Sequence, residues 1–241
     1  MNKILKQIIE IKSNKLLIFI ETISIVSLLL AIYYVAFRIL PKIVEITQTI
    51  SLILALFITI IIIFICFRLV FDKKKASFLY LLKKFRFQKI NKKTIYQAIW
   101  IFLIAAILSG LMRLILDYLN ITFISNEQFE IAKFHKQSAG PFFMPLSILV
   151  VVIFGPLQEE VLFRGYLLPK QEAAIGKHAW VLNGFAFNFT HLLVYDFVSL
   201  LLISPFCFLL AYKVQKHKNT SIGLLAHLFV NLGFIVRLLM V

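Results

Sequence analysis

Seven mostly apolar stretches, each near the ~20 residues a helix needs to cross the hydrocarbon core of a bilayer, leave this chain little choice of fold. They run roughly over Leu16–Phe37, Thr49–Phe71, Ala98–Leu119, Phe142–Leu168, His178–Val194, Phe197–Val214 and Ser221–Val241. Lipid offers no partners to loose backbone groups, so each stretch is expected to be a helix. The fold class that follows is all-α, a polytopic integral membrane bundle of about seven transmembrane helices. Hydrophobic residues make up 61% of the chain and mean hydropathy is +0.93, which excludes an ordinary soluble domain. Cys66 and Cys207 both lie inside apolar spans and read as small hydrophobes, not as a disulfide or metal pair.

The net charge of +15 does not point to nucleic acid, because no nucleic-acid-binding module accompanies it. Its basic residues gather between the spans, where anionic lipid headgroups are the natural partner. Eighteen of them fall on the segments that share a side with the N-terminus, and four (Arg38, Lys42, Lys133 and Lys136) on the opposite side. The chain is therefore expected to be a multi-pass protein of the cell membrane, with a cytoplasmic N-terminus and an outer C-terminus. Between Lys73 and Lys93, bases interleave with Phe78, Leu79, Leu81, Leu82, Phe85 and Phe87, as in an amphipathic helix lying on a membrane surface. Segment 120–141, with Glu127, Glu130 and His135, has the makings of a lid. Residues 1–140 then form an N-terminal set of transmembrane helices with a basic cytoplasmic loop, and residues 141–241 a second membrane core.

Polar chemistry concentrates in that second part. Gly155-Pro156-Leu157-Gln158-Glu159-Glu160-Val161-Leu162-Phe163-Arg164-Gly165 sets two carboxylates and an arginine inside an apolar run, where charges are expensive and normally functional. Glu160 and Arg164 are four apart on one helix face and can pair. Glu159 points about 100° away and is the carboxylate expected to meet another helix. His191 follows Phe187 by four residues, and Asn231 follows His227 by four. Counted from the adjoining loops, Glu159, His191, His227 and Asn231 lie about 18, 21, 12 and 18 Å into the bilayer. Three helices thus bring polar groups to similar depth. A carboxylate and an imidazole sharing a water can activate it for attack on a carbonyl carbon. Alternatively, Glu159, His191 and His227 offer the three ligands of a divalent metal site such as zinc, with a position open for water. The residues do not separate these two versions of hydrolysis.

The same residues carry a resemblance. Glu159-Glu160-Val-Leu-Phe-Arg164-Gly165, Phe187-Asn-Phe-Thr-His191 and His227-Leu-Phe-Val-Asn231 resemble, in order and spacing, the three elements of the CPBP family. That family comprises the CAAX-processing and bacteriocin-processing intramembrane proteases, also called the ABI family. The resemblance implies an all-helical membrane endopeptidase acting on a membrane-associated peptide or protein. It implies that Glu159 activates water with His191, that His227 and Asn231 support the oxyanion, and that Glu160 and Arg164 hold the set in place. Bacteriocin self-immunity and peptide maturation are the settings in which bacterial members are placed. The principal alternative is a non-catalytic membrane regulator that binds a sensor kinase or bacteriocin receptor, and a further one is a proton-coupled transporter using the same charges.

Overall fold

The computed structural model describes residues 3–34, 78–121, 148–192 and 195–239, with isolated positions between 54 and 65 and at 145. The expected second span, the 120–141 lid beyond residue 121, and the start of the fourth span lie outside the described residues. Among those described, all regular structure is helical. In chain order the helices are α1 (Lys3–Tyr34), α2 (Phe78–Lys84), α3 (Lys92–Tyr118), α4 (Ile148–Phe154), α5 (Gly155–Glu159), α6 (Glu160–Leu167), α7 (Leu168–Ile175), α8 (Ala179–Phe189), α9 (Phe197–His217) and α10 (Thr220–Leu239).

Among the described residues, three stretches are long and apolar enough to cross a membrane: Asn14–Ile32 within α1, then α3 and α9. Their outer faces are greasy. Leu103, Ile107, Leu111, Leu114 and Ile115 of α3 are all exposed, which suits contact with lipid and not with water. Asn91 caps α3, accepting from the Thr94 amide at 2.9 Å, and Asp196 caps α9, accepting from the Ser199 amide at 2.8 Å. Pro205 takes one donor out of α9, and the Ser204 hydroxyl instead donates to the Leu201 carbonyl at 2.7 Å.

Helices α4 to α7 follow one another without a break, and the junction residues Phe154, Glu159, Glu160, Leu167 and Leu168 all keep helical dihedrals. The run continues to Ile175, past the expected end at Leu168. Its winding changes along the way: α4 and α6 are π-helical, and the Leu168 amide donates to the Phe163 carbonyl five residues back. Each wide stretch precedes a proline. A proline ring clashes with the carbonyl four residues earlier, here Val152 for Pro156 and Gly165 for Pro169, and widening the turn relieves the clash.

The fifth span departs from expectation. Helix α8 stops at Phe189, so its 11 residues rise only about 16 Å, short of a full crossing. His191 therefore lies in the turn beyond α8 and not fourteen residues up a helix. The basic loop also differs from a surface anchor over part of its length. Phe85 is fully buried, lying where a side chain on Gly165 would collide with its ring at 2.7 Å. The following backbone clamps the start of α10, with the Thr220 hydroxyl donating to Phe85 O at 2.6 Å and the Ser221 hydroxyl to Gln88 O at 2.7 Å.

Candidate active site

Helix α6, the α8 end and the middle of α10 converge on the ring of Phe187. The Arg164 guanidinium lies over that ring at 4.0 Å. His191 and His227 meet it edge-on, with ring centroids at 5.0 and 5.7 Å. Phe206 of α9 closes the other side of His227 at 5.5 Å, and Tyr195 stacks on His191 at 5.7 Å. Phe206 and Tyr195 carry no warning in the sequence, being ordinary aromatics in apolar or loop context.

Glu160 and Arg164 form the pair expected from their spacing, with Oε1 and Nη1 3.3 Å apart and neither side chain exposed. Burial of both is tolerable only because each neutralises the other, and removing one would leave an uncompensated charge. Arg164 also donates through Nη2 to the Cys207 carbonyl at 3.5 Å.

His227 is bracketed by the two glutamates. Its Nδ1 is 3.3 Å from Glu160 Oε1 and its Nε2 is 3.4 Å from Glu159 Oε2. Glu159 meets another helix as expected, and Glu160 reaches α10 as well, because long side chains on adjacent residues embrace one imidazole from its two sides. Carboxylate oxygens only accept, so Nδ1 carries the proton directed at Glu160. A bare lone pair on Nε2 would face a bare carboxylate across 3.4 Å. With a proton on Nε2, this contact becomes an ion pair between His227 and Glu159.

His191 is set by the early end of α8. The last carbonyls of a helix lack intrahelical partners. That of Phe187 accepts from the Thr190 hydroxyl at 2.7 Å and from His191 Nδ1 at 3.0 Å. A carbonyl cannot donate, so Nδ1 bears the hydrogen, and in the neutral ring Nε2 then holds the lone pair a base needs. Asn231 stands one turn past His227 on α10, half-buried.

Among the described residues, no group of three or more His, Cys, Asp or Glu side chains is disposed to hold an ion, Glu159, His191 and His227 included. Both nitrogens of His227 already face carboxylates. A cavity of about 520 Å³ lies elsewhere, beside Glu172, Lys177, Trp180, Tyr212, Lys216 and Lys218, and none of the site residues lines it.

Residues 141–233 match the family model described as Rce1-like, type II CAAX prenyl endopeptidase Rce1-like, and the match spans all six of the polar residues singled out in the sequence. No curated protein and no solved structure matches the chain.

Proposed function

We propose that this chain, similar over residues 141–233 to the Rce1-like CAAX prenyl endopeptidases, is an intramembrane endopeptidase hydrolysing a peptide bond in a membrane-associated peptide or protein. The observation that carries this reading is the imidazole of His227 held between two carboxylates in an apolar interior. Packing alone does not call for an imidazole so placed beside a second one; in this reading Glu159 and His227 share one proton.

The reaction runs on the protein's own side chains. A water between Glu159 and His191 gives one proton to His191 Nε2 as its oxygen attacks the carbonyl carbon. The Asn231 amide donates to the oxyanion that forms. As the carbon–nitrogen bond breaks, the proton shared by Glu159 and His227 passes to the leaving amine. The proton held by His191 then returns to that pair, restoring the starting state. Glu160 and Arg164 fix the His227 ring and take no proton.

If side chains alone activate the water, cleavage survives exhaustive chelation; loss of cleavage restored by zinc would favour the metal version instead. A suitable first probe is an internally quenched peptide with a prenylated Cys-aliphatic-aliphatic-X end, assayed with purified protein in micelles. Comparative peptidomics of membranes from cells carrying wild-type or Glu159→Gln protein would then find the natural substrate, in peptide maturation, self-immunity or another setting. Equal cleavage and identical peptide profiles for the two proteins would defeat the proposal.

A further inference from the structure

Gly223 sits on α10 one turn before His227, on the same face, and is buried. Glycine weakens a helix interior, so its presence there needs a reason. A Cβ added at this position would come within 3.1 Å of Glu160 Cδ and closer still to Oε2, well inside the 3.0 Å that real Cβ atoms essentially never breach. It would also lie 3.0 Å from Val214 Cγ2 of α9. Gly233, ten residues later on the same helix, has nothing within 4 Å of such an atom.

We propose that Gly223 is a positioning residue for Glu160: the bare backbone of α10 forms the wall against which the carboxylate is pressed into its contacts with His227 and Arg164. Carboxylate ends usually swing aside cheaply. This one is fully buried, and its other oxygen is pinned at 3.3 Å to both His227 Nδ1 and Arg164 Nη1. Glu160 Oε2 has no hydrogen-bond partner among the described residues, so packing against Gly223 is what fixes it. Any larger residue must push the carboxylate off His227 or push α10, and His227 with it, away from α6. Either movement frees the His227 ring to rotate and disrupts the proton shared with Glu159.

Its effect on turnover rests on the peptidase reading, but its geometry does not, and the test separates the two. Histidine labelled with ¹⁵N reports the His227 ring nitrogens in micelles, assigned by their loss in His227→Gln. Gly223→Ala is expected to shift the Nδ1 resonance away from its carboxylate-bonded position, whereas Gly233→Ala leaves it in place. With the quenched prenyl peptide, Gly223→Ala should lower kcat about 100-fold with KM little changed, the cost of a misplaced group at the reacting atoms. Thermal unfolding completes a double-mutant cycle. Gly223→Ala should lower Tm in the wild-type background but not in Glu160→Ala, where the obstructed carboxylate is gone. An equal loss of Tm in both backgrounds, or relief by Val214→Ala in place of Glu160→Ala, would overturn the assignment. So would an unmoved His227 resonance in Gly223→Ala. If wild-type protein cleaves nothing yet the resonance moves and the cycle couples, the positioning role stands and the peptidase reading falls.

Discussion

Glu160 and Glu172 stand on one helical run, and each meets an arginine. Glu160 Oε1 is 3.3 Å from Arg164 Nη1, with both side chains wholly buried. Glu172 contacts Arg86 at 2.7 Å and Lys218 at 2.5 Å, and both of those cations are partly exposed. The shorter contacts therefore belong to the wetter cluster. Both oxygens of largely buried Glu172 are taken and only Arg86 Nη1 of its cluster lacks a hydrogen-bond partner, whereas Glu160 Oε2, Arg164 Nε and Arg164 Nη1 all lack one among the described residues. Distance alone would rank the Glu172 cluster first, and energy reverses the order. Exposed pairs contribute roughly 0–1 kcal/mol because water competes for both charges. Breaking a buried pair by removing one partner costs about 3–5 kcal/mol. Glu172 ties α7 to the start of the α2–α3 connection, while Glu160 is pressed into an arrangement it would not adopt in water.

The sharpest way to break this contrast is Arg164→Leu. It strands Glu160 in a dry interior and should cost about 3–5 kcal/mol of stability, read as loss of folded protein in a thermal unfolding series. If the loss is no larger than for Lys218→Ala, the two clusters are equivalent and the contrast fails. Glu159→Gln should do the opposite, keeping the fold while lowering kcat about 10²–10⁴-fold, as expected for removal of a proton-transfer group. Phe187→Leu sits between these cases. It removes the ring shared by Arg164, His191 and His227 and should cost about 2 kcal/mol through the desolvated cation–π contact. The smallest effect is expected for Lys218→Ala, which removes the exposed partner of Glu172: a change under about 1 kcal/mol, fading further in high salt, with cleavage unaltered.

Much of the site was legible because helical spacing is a simple rule. Four-residue intervals anticipated the Glu160–Arg164 pair and the packing of Phe187 against His191. Apolar length likewise marked α1, α3 and α9 as helices able to cross a membrane. What hydropathy does not encode is where backbone hydrogen bonding ends. The apolar run from His178 to Val194 has no break in its letters, yet α8 stops at Phe189 and the Thr190 hydroxyl and His191 ring take up the freed carbonyl. Phe85 was assigned to the membrane surface because a loop rich in lysine looks peripheral. Its ring is instead admitted to the core by the missing side chain of Gly165, a complementarity between residues eighty apart that no local window detects. The two-sided embrace of His227 was also missed, since a strict 100° step sends adjacent glutamates apart and ignores the reach of their side chains.

The proline-widened winding of α6 gives the molecule something like a gear. Below it, α7 is locked to α1 through Lys170–Glu21 at 2.5 Å and Gln171–Thr22 at 3.1 Å. Above it stand Glu159 and Glu160, whose azimuth relative to that fixed foot depends on how many residues each turn contains. Replacing Pro169 with alanine would let the turn tighten and rotate both acids as a block, detuning the constellation from a residue that touches none of it.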